Sequence, residues 1–162
     1  MKKAWISLLF LAVAAFAQAQ QPIKPVAVTW VDEMRGQTND TLYVINFWAT
    51  WCKPCVEELP YFQQLAKNYE GKKLKVILVT TDMRKDIGTR VTDFVKAKGI
   101  TMQVVYINEV NADKWINNVS AEWTGAIPAT WFLKGSDKFE KFHEGEFTYT
   151  ELEAVIKPLL QP

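Results

Sequence analysis

The 162-residue chain holds two cysteines, three positions apart in Trp51-Cys52-Lys53-Pro54-Cys55. Thiols at this spacing can help bind a metal, close a small structural ring, or cycle between dithiol and disulfide. A structural zinc site needs about four ligands, and one histidine, His143, with no third thiol does not complete a usual set. As a staple, the pair would close a very short loop and remove little entropy from the unfolded chain. A peroxidatic cysteine would want an activating hydroxyl and an arginine, and no arrangement in the sequence specifies one. Redox exchange is the chemistry these residues favour.

The elements around the pair strengthen that reading. Residues 42–48, Leu-Tyr-Val-Ile-Asn-Phe-Trp, form a nearly continuous apolar and β-branched run, as a strand covered on both faces requires. After the cysteines, Val56, Leu59, Phe62, Ala66 and Tyr69 recur at helical spacing, and Gly71 supplies a stop. Pro60 inside that helix is expected to kink it. The pair therefore falls where a strand ends and a helix begins. Backbone N–H groups and the helix dipole favour an anion there, and Lys53 adds a positive charge. A free thiol pKa of about 8.5 falls to roughly 3.5–7.5 in such surroundings. Cys52 is expected to be the nucleophile and the more exposed of the two. Cys55, one turn further in and facing the packed side, is expected to resolve the mixed disulfide.

The remaining segments read as residues 75–80 strand, 86–98 amphipathic helix stopped by Gly99, 102–107 strand and 112–119 short helix. Residues 129–133 and 138–143 form a hairpin around Lys134-Gly135-Ser136-Asp137. Residues 148–160 form a last helix, with Thr148 and Glu151 set as a capping box. Residues 20–25, with Pro22 and Pro25, read as an extended lead-in. Alternating strands and helices followed by a hairpin and a helix imply an α/β fold, a mixed central sheet flanked by helices.

Composition narrows the classes. At 49% hydrophobic and 23% charged, with seven Gly and seven Pro, the chain is of ordinary globular type. Its length suits one domain and a tail. A formal net charge of +1 and a pI near 7.7 leave no basic excess for phosphates, so no nucleic-acid partner is expected. Residues 1–19 run from Lys2 and Lys3 through an apolar stretch from Ala4 to Phe16 to Ala17-Gln18-Ala19. That order is expected to be a secretory signal peptide, leaving residues 20–162 as the domain. The alternative is an uncleaved N-terminus that tethers the chain to a membrane. The bacterial periplasm is the expected compartment, and no cofactor or metal is expected.

Three separated features carry a family resemblance: Phe47-Trp48-Ala49-Thr50-Trp51-Cys52-Lys53-Pro54-Cys55, Pro60 five residues beyond, and Gly125-Ala126-Ile127-Pro128 before a strand. Together, over roughly residues 26–160, they resemble the thioredoxin fold. Within it they are similar to the secreted TlpA/ResA-like thiol-disulfide oxidoreductases. The resemblance implies a helix–strand insertion between the cysteines and a hairpin entered through a cis proline. It assigns Pro128 as that proline, facing the cysteines and presenting the Ile127 backbone as an edge for an extended substrate. Trp51 is expected to be an apolar lip for the substrate chain and Trp48 to pack beneath the site.

One position departs from the pattern. Thioredoxin carries a buried aspartate in the strand before its cysteines, and the matching residue here is Asn46, which cannot exchange a proton near neutral pH. Glu58 lies three residues after Cys55 on the same helical face, whereas Glu57 points aside. An acidic residue at the Glu58 position also occurs in ResA-like relatives. Glu58 is therefore expected to accept or relay the Cys55 proton, its pKa raised if buried, with a surface glutamate as the alternative.

The resemblance implies reductive work on protein disulfides, including that of an apocytochrome c in cytochrome c maturation. Electrons would come from a membrane thiol carrier of DsbD or CcdA type. Pro54 favours the reductase direction, while Lys53 pushes towards a DsbA-like oxidant. A noncatalytic thioredoxin-like binding module is the rival of another class.

Overall fold

Strand β2, Leu42–Trp48, is the spine of the molecule because its side chains alternate between two apolar layers. Leu42, Val44 and Trp48 enter one layer, and Ile45 and Phe47 the other. The computed structural model describes residues 22–160, so the leader expected at 1–19 lies outside the described residues.

In chain order the elements are β1 (Lys24–Val26), α1 (Trp30–Arg35), β2, α2 (Lys53–Asn68) and β3 (Leu74–Thr80). Then come α3 (Arg84–Asp86), α4 (Thr92–Ala97), β4 (Gln103–Ile107), α5 (Ile116–Val119), β5 (Ala129–Lys134), β6 (Phe139–Glu144) and α6 (Tyr149–Ile156). The sheet order is β1-β4-β3-β2-β5-β6. The β1–β4, β4–β3 and β3–β2 pairs are parallel, and β2–β5 and β5–β6 are antiparallel. This is the expected mixed sheet. The helix–strand unit between the cysteines and Pro128 is present, and its strand β4 sits between β3 and β1.

Helices flank both faces. On one, Leu59, Phe62 and Leu65 of α2, Val95 of α4 and Leu152 and Ile156 of α6 pack on Val44, Leu78 and Phe132. On the other, Val31 and Met34 of α1 and Val119 of α5 meet Ile45, Phe47, Val79 and Trp131. Each such side chain, moved from water, contributes roughly 1.5–3 kcal/mol.

Several boundaries differ from the sequence reading. The lead-in contains β1, which pairs with β4 and so belongs to the sheet. The helix expected at 86–98 is α3 and α4 joined by a π turn, Ile87–Val91. The last helix gives way to a 3-10 turn at Lys157–Leu159, where Pro158 has no N–H to continue the ladder. Helix α2, by contrast, runs through Pro60 to Asn68, as its apolar spacing predicts.

Candidate active site

Cys52 and Cys55 form a disulfide, with sulfurs 2.06 Å apart. Cys52 is the N-cap of α2, and its Sγ accepts the Cys55 backbone N–H at 3.3 Å. Sulfur at that position meets the partial positive charge of the helix N-terminus, the environment that favours a thiolate once the bond is reduced. Cys52 keeps 6% of its surface exposed and Cys55 none, the order expected from their places on the first turn. Trp51, 63% exposed, projects from the same turn, and Trp48 is fully buried beneath it. Lys53 is also exposed, with its ammonium 3.6 Å from Glu57, so its charge is partly matched by a neighbour.

Pro128 is brought to the pair by sheet register. Phe47 opposes Ala129 across β2 and β5, so the residues just before β5 lie at the end of β2 from which the Cys52 turn departs. The Ile127-Pro128 peptide is cis, and the Ile127 carbonyl oxygen is 3.7 Å from Cys52 Sγ. Trp123 Nε1 donates to Ala126 O at 2.8 Å, which holds the loop entering this bond. Trp123 is buried, so its part here is packing.

Glu58 is 1% exposed, which removes the surface-glutamate alternative. Asn46 shares the strand face of Val44 and Trp48, the face covered by α2. Its Nδ2 donates to Glu58 Oε1 at 2.8 Å. The backbone N–H of Phe147 donates to Glu58 Oε2 at 2.8 Å. These two bonds favour the carboxylate, but burial outweighs them and, with the nearby Glu146 charge, pushes the pKa up to about 7. Asn46 is thus tied to the buried carboxyl, its amide holding Glu58 from the facing strand.

Segment 145–147, which sequence reading missed, closes the site. Gly145 N–H donates to Pro128 O at 2.9 Å, and two residues on Phe147 N–H reaches Glu58. Gly145 has φ 126°, a conformation that favours glycine. A glycine just before the Thr148 capping box was the one local signal.

Three carboxylates also line the open cavity beside Glu58, those of Glu57, Glu146 and Glu151, together with Tyr61 and Phe147. Net charge near zero therefore conceals a locally acidic wall.

The AhpC/TSA family model matches residues 26–140. The thiol-disulfide oxidoreductase ResA of Oceanobacillus iheyensis is 29% identical over 116 residues, covering 72% of this chain and 56% of that protein. This chain thus spans little more than half the length of that curated relative. Among solved structures, a thiol:disulfide interchange protein of the thioredoxin family from Chlorobium tepidum matches with a TM-score of 0.61 at 21% identity, covering 75% of this chain and 81% of the other. A DsbF homologue from Corynebacterium diphtheriae matches with a TM-score of 0.59 at 26% identity, covering 75% and 73%. The fold is thioredoxin-like.

Proposed function

The chain belongs to the AhpC/TSA family, and from that premise we propose that it is a periplasmic thiol-disulfide oxidoreductase that reduces protein disulfides. The observation that carries this reading is the Cys52–Cys55 disulfide at the N-terminus of α2, with the Ile127 carbonyl beside Cys52.

The cycle starts from the dithiol. Cys52 thiolate attacks one sulfur of a substrate disulfide; a Cys52–substrate bond forms, the substrate S–S bond breaks, and the departing sulfur takes up a proton. Cys55 then gives its proton to the Glu58 carboxylate, and its thiolate attacks Cys52 Sγ. The second substrate sulfur leaves and is protonated. Two electrons have passed from the cysteine pair to the substrate, and Cys52–Cys55 is a disulfide again. A carboxyl near pKa 7 is about half ionised at neutral pH, which suits a group that both takes and returns a proton.

An extended substrate segment would lie along the Ile127 backbone beside Pro128, with Trp51 as its apolar lip. A membrane thiol carrier of DsbD or CcdA type would return the pair to the dithiol, and an apocytochrome c is the substrate the ResA resemblance favours. The leader order of basic, apolar and small residues supports export.

The test is capture. A Cys55→Ser protein cannot resolve its mixed disulfides, so it should hold periplasmic partners that dithiothreitol releases. Equilibration with glutathione fixes the direction. A potential near thioredoxin's, about −270 mV, supports the reductase, and one near DsbA's, about −120 mV, reverses it.

A further inference from the structure

Outside the cysteine–Glu58 site, the most fully satisfied buried charge is Asp82, whose carboxylate is fully enclosed. It stands two residues past the end of β3, where the parallel register with β2 pairs Thr80 with Trp48. Both chains continue side by side: Thr81 N–H donates to Trp48 O at 2.8 Å. Two residues beyond the last pair, Asp82 therefore meets Thr50. Asp82 Oδ2 accepts the Thr50 backbone N–H at 2.8 Å, and Oδ1 accepts the Thr50 hydroxyl at 2.6 Å. The Thr80 hydroxyl donates to Oδ2 at 2.8 Å.

The countercharge comes from Arg90, whose Nη2 is 3.1 Å from Asp82 Oδ1 and 3.0 Å from Asp86. Arg90 lies in the π turn Ile87–Val91, where Thr92 Oγ1 donates to the Ile87 carbonyl at 2.7 Å. Short π segments of this kind recur at functional sites. A buried carboxylate is costly unless every lone pair is used and its charge is met. Here both conditions hold, on the segment that leads into the nucleophile.

We propose that Asp82, neutralised by Arg90, is the positioning residue for Cys52, fixing Thr50 so that the following turn delivers the sulfur to the helix N-terminus. This deepens the dithiol reading above and rests on it. From Thr50 the chain makes one turn, closed by Cys52 N–H to Ala49 O at 3.2 Å, and Cys52 then caps α2. The thiolate gains from the α2 N-terminus only while the sulfur stays at the cap. If Thr50 is released, Cys52 leaves that position part of the time, its thiol pKa rises towards the free value, and its attack slows. Arg90 supplies the second requirement. An unmatched carboxylate so near would itself disfavour the Cys52 thiolate.

The experiment measures iodoacetamide alkylation of Cys52 in the reduced full-length protein against pH, with thermal melting in parallel. Thr50→Val removes one hydrogen bond without altering any charge, Thr50→Ser retains it, and Asp82→Ala removes the anchor. Val76→Ala opens a gap in β3, far from the site. Thr50→Val is expected to raise the Cys52 thiol pKa and slow alkylation at pH 7 by about fivefold or more, the worth of one such hydrogen bond, and Asp82→Ala to do so less strongly, because it leaves the Arg90 charge to favour the thiolate. Thr50→Ser should match the wild type, and Val76→Ala should lower the melting temperature alone. If Asp82→Ala does not fold, the Thr50→Val and Thr50→Ser pair decides. Alkylation unchanged in Thr50→Val, or slowed equally in Val76→Ala, overturns the proposal. Alkylation reports on Cys52 whether or not any disulfide is reduced, so a wild type inert towards insulin would remove the proposed function and leave this measurement readable.

Discussion

Glu58 is the single residue on which the proposed proton transfer turns. Burial raises its pKa from an ordinary carboxyl value to about 7, against the two hydrogen bonds that favour its charged form. A carboxyl whose pKa is higher folded than unfolded binds more protons in the native state between those two values. Stability should therefore fall as pH rises from about 4.5 to about 7, by about 3 kcal/mol, and level off above. Glu58→Gln should lose this slope, and its disulfide-exchange profile should lose the inflection near pH 7. Denaturant unfolding of both proteins at several pH values makes the comparison, and parallel curves would remove the buried ionising role. The cysteines and Glu58 were legible because each announces itself within one helical turn. The pairings of Asn46 with Glu58, Asp82 with Thr50 and Phe147 with Glu58 were not, because they join residues 12, 32 and 89 positions apart and form only once helix and loop pack on the sheet.

Elements were legible in proportion to their length. β2 and α2 carry long apolar patterns and were read almost to their ends. The six-residue α1 and three-residue β1 are too short to show a period, and the π turn obeys no simple spacing. The β5–β6 hairpin shows how a turn also serves the packing between elements. A Cβ on Gly135 would overlap the Gln37 carbonyl, and next to it Ser136 N–H donates to Asn39 O at 3.0 Å. Backbone has little room to yield, so Gly135→Ala should cost about 3 kcal/mol. Gly88, with nothing within 4 Å of its added Cβ and an ordinary φ, should tolerate alanine or gain up to about 1 kcal/mol. Urea midpoints compare the two, and equal shifts would contradict the packing described at Gly135.

At the scale of the molecule, one sheet carries two apolar layers, and the site forms where both end. Trp48 lies in the α2 layer, while Trp115, Trp123 and Trp131 lie in the other. Because β2 and β5 contribute to both, neither layer should unfold alone. Tryptophan fluorescence and far-ultraviolet circular dichroism should trace a single coincident urea transition, and separated midpoints would show that the layers are independent. The same junction places Cys52, Cys55, Ile127 and Glu58 together, and there Cys52 is proposed to attack protein disulfides. Insulin reduction in the presence of dithiothreitol tests it most directly. The wild type should accelerate insulin precipitation well beyond dithiothreitol alone, and Cys52→Ser should return it to the uncatalysed rate. A wild type no faster than dithiothreitol, or a Cys52→Ser protein as fast as the wild type, would show that Cys52 does not carry disulfide reduction.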